Sequence, residues 1–190
     1  MSASGSASDS PSGFPSDSSA SNLEQQRKLA KDLLKAVRSA DVAAIERFRA
    51  TALDANDPKL AAAQLVIARE AGFESWPKLV KQLEISELQA AAKALHANDA
   101  ATLRKLLRIS PSLRRRVNDP VGPFGGRPIH MAAHSRELLD VLVDAGADIN
   151  LRSEWEKGPY TVLDSAPEDV ARHLLTRGAI LTAHAAARLG

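Results

Sequence analysis

Between Gly126 and Asn150 the chain reads Gly-Arg-Pro-Ile-His-Met-Ala-Ala-His-Ser-Arg-Glu-Leu-Leu-Asp-Val-Leu-Val-Asp-Ala-Gly-Ala-Asp-Ile-Asn, two short helix signals and their turns in 25 residues. Pro128 suits the first position of a helix, because its ring fixes a helical φ and its missing N–H would be unpaired there anyway. A second helix is expected from about Ser135 to Ala145. Leu138, Leu142 and Ala145 form its apolar stripe, Glu137, Asp140 and Asp144 line the other face, and Gly146 supplies the left-handed residue that ends it. Helices this short cannot bury their apolar sides unaided, so like units must stack against them.

A like unit follows. Thr161-Val162-Leu163-Asp164, a short helix from Val170 to Arg177 and Gly178-Ala179 repeat the plan, with Gly146 and Gly178 set 32 residues apart. This spacing and these motifs resemble the ankyrin-repeat family. The family's Thr-Pro-Leu-His opening stands as Arg127-Pro128-Ile129-His130, and its Gly-Ala-Asp-Val-Asn loop as Gly146-Ala147-Asp148-Ile149-Asn150. The second unit departs further, with Val162 for the proline, Asp164 for the histidine, and no Asp or Asn after Gly178-Ala179. The resemblance implies an all-α, ankyrin-like helical repeat solenoid. It also implies that His130 braces the loop between repeats, and that the concave face and inter-repeat loops bind a protein partner.

Upstream, Ser21 with Glu24 forms a capping-box pattern for a helix over about 22–38, with Leu29, Leu33 and Val37 on its apolar face and Lys28, Lys31, Lys35 and Arg38 opposite. After Ser39-Ala40-Asp41 a shorter helix points Ile45 and Phe48 inward. The stretch from Ala97 to Leu106 parallels Ser39 to Phe48, giving a weaker internal copy of the same helix, Asp-capped turn and helix. Between the copies, Asp57-Pro58 starts a helix that Gly72 stops, and Ser75 caps the next, which carries Leu79, Val80 and Leu83. Ser86 and Gln89 then form a capping pattern for the helix leading into the second copy. This intervening stretch is similar to an extra helical element preceding the repeats in some bacterial ankyrin-like proteins, and Phe73 and Trp76 read as its core anchors. Thr182 to Gly190 reads as the first helix of a further repeat, with Ala186 and Leu189 apolar. It is expected either to cap the array or to mark a shortened one, with self-association through this end.

These signals divide the chain into 1–22, a Ser-rich tail expected to be disordered for lack of apolar surface, a divergent helical segment over 23–84, and repeats over 85–190. The tail lacks the basic start and apolar run of a secretory signal, and no segment approaches the roughly 20 apolar residues of a membrane span, so a cytoplasmic location is expected. Zero cysteines exclude disulfides and thiolate chemistry. The net charge of +2, or +4 once the tail's Asp9 and Asp17 are set aside, is compatible with an acidic partner without requiring one.

No catalytic constellation stands out. His130 and His134 have the i, i+4 spacing of a zinc pair, but Met131-Ala132-Ala133 lacks a glutamate and no third ligand is indicated, so no metal or cofactor is expected. Gly122-Pro123-Phe124-Gly125-Gly126 lacks the Lys-Ser or Lys-Thr of a phosphate loop and reads as a turn into the repeat. Arg104, Lys105 and Arg108 share a helix face and Arg114-Arg115-Arg116 follow. They offer phosphate contacts, but no aromatics interleave for base stacking. Phe124, Arg152, Trp155 and Tyr160 are large residues in the polar loops 121–126 and 151–160, the residue types that dominate interface energies, and they are the candidate binding residues. Trp155 and Tyr160 either meet a partner or fold back over the stack. The reading is a non-enzymatic protein-binding scaffold. Nucleic-acid binding through the basic clusters and an enzyme site near His130 and His134 stand as the alternatives.

Overall fold

In the computed structural model the described residues are 22–51 and 55–190, and every regular element among them is helical. Of the tail expected to be disordered over 1–22, residues 1–21, with Ser21 of the capping pattern, lie outside them, while Asn22 is described. Helix α1 (Leu23–Arg38) starts instead on Asn22, whose side chain accepts the Gln25 amide at 2.8 Å. Its buried face is Leu23, Gln26, Ala30, Leu33 and Val37. Leu29 is 43% exposed, because the 30, 33, 37 stripe is the one turned towards α2 (Val42–Ala50), α3 (Leu60–Glu70) and α4 (Trp76–His96).

The first core gathers Ala30, Leu33, Val37, Ala44, Phe48, Ala63, Val66 and Leu79, with Ile45, Phe73 and Trp76 packed at its edge. α3 begins at Leu60 with Lys59 as N-cap, two residues later than Asp57-Pro58 suggests. α4 does not break where Ser86 and Gln89 propose a new start. It runs through them for 21 residues, since no residue from Leu79 to Leu95 is a glycine or proline that would force an interruption. Its first half serves the first core with Leu79 and Leu83, and its second half serves the next with Leu88, Ala91, Ala94 and Leu95.

The paired stretches at Ser39 and Ala97 fold alike. Ala40 and Asn98 are left-handed (φ 60 and 54), the amides of Asp41 and Asp99 return to the carbonyls of Ala36 and Ala94, and both aspartates cap the following helix. Gly146 and Gly178 (φ 101 and 97) end their helices by the same closure, Ala147 to Leu142 and Ala179 to Leu174. Of these four positions only Ala40 carries a residue with nothing to recommend it for positive φ, where an L-residue loses roughly 1–2 kcal/mol. Ala40→Gly is therefore expected to stabilise the chain by about 1 kcal/mol, the added freedom of the unfolded glycine offsetting part of the gain. Thermal unfolding would show it as a melting temperature higher by about 2–4 °C.

From α4 onward the helices form two rows. α4, α7 (Pro128–Met131), α9 (Val162–Ser165) and α11 (Ala183–Leu189) each touch the next, while α5 (Ala100–Ile109) packs on α8 (Arg136–Asp144). α6 (Pro111–Arg115) fills the corner beside α4 and α5, and α10 (Glu168–Thr176) is tied to α8 by Arg136–Asp169, Arg177–Asp144 and His173–Asp140 contacts of 2.6–2.9 Å. Between the rows lie Leu103, Ile129, Leu138, Leu139, Leu142, Val162, Leu163 and Leu174, all at most 2% exposed. In α11 the buried residue is Ala185, while Ala186 is exposed. Thr182 caps the helix by accepting the Ala185 amide; Leu189 packs on the core as expected, and Ala185 takes the inward place expected of Ala186. The apolar exposure at this end belongs to Ile180 and Leu181, at 68% and 51%. No described helix is long and apolar enough to cross a membrane.

One buried charge joins the two halves. Glu87, 8% exposed on α4, accepts the Leu23 amide at the start of α1 (3.2 Å) and the hydroxyls of Ser110 (2.5 Å), which caps α6, and of Ser112 (2.9 Å) in its first turn. A carboxylate at the amino end of α1 is also favoured by the helix dipole.

Candidate functional site

The two polar loops lie side by side and are built as short fingers. In the first, the amides of Val121 and Gly122 donate to the Gly126 carbonyl, and the Gly126 amide donates to the Pro123 carbonyl at 3.0 Å. The tip is Phe124-Gly125, with φ of 57 and 66, the two left-handed residues of a type I′ turn. In the second, the Ser153 amide donates to the Tyr160 carbonyl (2.8 Å) and the Tyr160 amide to Ser153 Oγ (3.1 Å). Gly125 is required where the fingers meet: a Cβ there would lie 2.4 Å from Glu154 Cβ and 2.8 Å from Glu154 N.

The tips put Phe124 against Trp155, ring centroids 5.4 Å apart and tilted by 48°. Phe124 is 65% exposed and Trp155 40%, so the tryptophan rests on the neighbouring tip and does not fold over the stack. Phe124 holds a left-handed backbone that Asn or Gly would adopt with less strain, at an exposed position where its ring covers no core. Strain kept at an exposed aromatic is an indicator of function.

Tyr160 behaves differently. It is half-buried, with its ring 5.0 Å from that of His130, and it covers the edge of the stack. Arg152 is exposed, but its guanidinium donates to the Pro159 carbonyl at 3.0 Å and braces its own loop. The four candidate residues thus share one region, and the two at the tips have the freest aromatic faces.

Arg127 holds the fingers together. Its guanidinium, with a side chain 13% exposed, donates to the carbonyls of Asn118 and Arg152 and pairs with Glu154 at 2.9 Å. Asn118 and Asn150, 32 residues apart in the chain, do matching work. Each donates to a carbonyl 28 residues on, Gly146 or Gly178, and accepts an amide 30 residues on, from Asp148 or Ile180. Sequence reasoning placed Asn150 in a loop and passed over Asn118, although the pair Val117-Asn118 before the first finger parallels Ile149-Asn150 before the second.

His130 is committed at both ring nitrogens. Nδ1 accepts the Arg127 amide (3.1 Å), so Nε2 carries the proton and donates to the Leu151 carbonyl (3.0 Å). His134 is exposed, and no cluster of three metal-ligating side chains exists among the described residues. Burial lowers the His130 pKa from its ordinary 6.5, and the positive charge of Arg127 acts in the same direction. The unfolded chain therefore takes up this proton more readily than the folded one. The contribution of neutral His130 is complete above about pH 6.5 and is lost as pH falls through that value towards the lower folded pKa. Melting temperature should be steady between about pH 8 and 7 and decline below about 6.5, and the decline should be shallower in His130→Asn.

Beside the first finger an apolar groove of about 370 Å³ opens between α4 and α7, with Leu88, Ala91 and Leu95 on one wall, Val121, Pro128 and Met131 on the other, and Leu103 and Leu142 at its floor. Val121, 50% exposed, belongs to both groove and finger. The basic residues divide. Arg104, Arg108, Arg114 and Arg115 converge over Leu107, Arg116 pairs with Asp119 at 3.0 Å, and the Lys28, Lys31 and Lys35 stripe stays on α1. No protein-family model, no curated protein and no solved structure matches this chain.

Proposed function

We propose that residues from α4 to α11 are a divergent ankyrin-type repeat array and that the chain is a non-enzymatic scaffold binding a protein partner through its finger tips and the adjoining groove. The observation that carries the reading is the Phe124–Trp155 pair, two exposed aromatic rings in contact on adjacent fingers, one held in a left-handed backbone. Support for the repeat assignment comes from the matched bridges of Asn118 and Asn150 and the matched closures at Gly146 and Gly178. Asp164 takes the part played by His130 in the unit before it. It accepts the Thr161 amide (2.7 Å) as His130 accepts that of Arg127, and it reaches forward to Thr182 as His130 reaches to Leu151.

Binding to a protein also suits the physics of the surface. Fingers held in register by Arg127 and the asparagines are ordered before a partner arrives, so little conformational entropy is lost on association. Aromatic anchors beside an apolar slot favour an extended or helical segment that presents large apolar side chains. Peptides selected from a random displayed library against the full chain are expected to lose binding to Trp155→Ala. Selected peptides that bind the variant as tightly as the parent would contradict the assignment.

A further inference from the structure

Four arginines converge on a surface that the fingers do not use. Arg108, Arg114 and Arg115 surround one depression of about 250 Å³, and Arg104, Arg108 and Arg114 surround a second of about 220 Å³ beside it. Leu107 lines both, with Pro111 beside it in one and Val141 and Ala145 in the other. None of the four arginines makes an ion pair or a side-chain hydrogen bond among the described residues, a state that only Arg49 of the other described arginines shares. Asp144 is the one carboxylate lining either depression, and Arg177 holds it at 2.6 Å.

Three unpaired guanidiniums around a small concavity repel one another, and one carboxylate would leave most of that charge unmet. A phosphoryl group carries about −1.5 to −2 near neutral pH and offers three acceptor oxygens to arginine forks. We propose that this surface, formed by α5, α6 and the end of α8, binds a phosphoserine- or phosphothreonine-bearing segment of a partner protein. The phosphoryl group sits between Arg108 and Arg114, which line both depressions, and an apolar neighbour of the modified residue rests against Leu107 and Pro111. A nucleic-acid strand fits less well, because no aromatic ring lines either depression to stack a base.

The test is fluorescence anisotropy with a short labelled peptide carrying one phosphoserine flanked by Ala and Leu, its unphosphorylated twin, and a single-stranded RNA of matched label. The full chain should bind the phosphopeptide at least about tenfold more tightly than the twin, a difference near 1.4 kcal/mol. Arg108→Ala with Arg114→Ala should abolish that difference while helical content and melting temperature stay unchanged, and Arg108→Lys with Arg114→Lys should keep part of it. Equal binding of the two peptides, or a phosphopeptide preference that survives in the double alanine variant, overturns the proposal. RNA binding tighter than phosphopeptide binding and lost in the same variant overturns it in favour of nucleic acid. Trp155→Ala is expected to leave the phosphopeptide affinity unaltered, so failure here and failure of the finger-tip reading are separable.

Discussion

Glu87→Ala is expected to lower the stability of the chain by about 3 kcal/mol, which for a protein of this size is a fall in melting temperature of roughly 6–12 °C. The side chain buries little apolar surface of its own, so the loss comes from what it leaves behind. The Leu23 amide and the Ser110 hydroxyl, both in buried surroundings, lose their acceptor, and an unmet buried polar group costs about 1–3 kcal/mol. Ser110 and Ser112 are already 2.8 Å apart and can satisfy each other in part, which keeps the total below the sum of three lost bonds. Glu87→Gln retains an acceptor for Leu23 and lets the hydroxyls turn to accept from its amide, so about 1 kcal/mol is expected there. Chemical denaturation of the three proteins, followed by circular dichroism, measures both differences. A Glu87→Ala protein as stable as the parent would mean that Glu87 does not tie α1 to α6.

Trp155→Ala is expected to weaken partner binding by at least about tenfold, since truncation of a central aromatic anchor commonly costs 2 kcal/mol or more. Folding should suffer much less. Trp155 is 40% exposed and its ring contact is with Phe124, itself 65% exposed, so the loss is near the 0.5–1.5 kcal/mol of an aromatic pair. Phe124→Asn sharpens the distinction. It forfeits the same ring contact but relieves a left-handed backbone worth roughly 1–2 kcal/mol, because Asn-Gly is a favoured type I′ turn. Its stability should equal or exceed the parent's while its affinity for a selected peptide falls as in Trp155→Ala. Binding by titration calorimetry and stability by thermal unfolding separate the two effects. An unstable Phe124→Asn with unaltered affinity would assign the ring to the fold.

The helices of the second half were legible because their signals are local. Pro128 and Ser135 stand at the starts of α7 and α8, Gly146 and Gly178 at left-handed ends, and the apolar stripe of α8 lies inward as its spacing requires. The errors arose where local signals compete with length or register. Ser86 and Gln89 mimic a helix start, yet each is tolerated inside α4, where the apolar faces on both sides hold the helix straight through. Leu29 and Ala186 were each one residue from the true buried stripe, which depends on the rotation of α1 and α11 against their neighbours and not on spacing alone.

The site was legible as a pair of loops and not as an arrangement. Phe124 and Trp155 stand out in sequence by residue type, but their contact depends on two fingers lying alongside each other, fixed by Gly125 against Glu154 and by Arg127 reaching over 25 and 27 residues. The same holds for Glu87, whose three donors come from positions 23 to 64 residues away and leave no periodic trace. In the proposed repeat, Arg127 stands where the opening threonine would be. Its long side chain does bridging that no short hydroxyl reaches, and this accompanies fingers that meet at their tips.

Hydrogen exchange of the full chain, free and saturated with a selected high-affinity peptide, tests the central claim most directly. Protection should concentrate at the amides of Phe124 and Trp155 to Lys157 and in the groove wall around Met131, leaving α2 and α3 unaffected. Protection confined to α1–α3, or uniform across the chain with none at the tips, would contradict a scaffold that binds through its fingers.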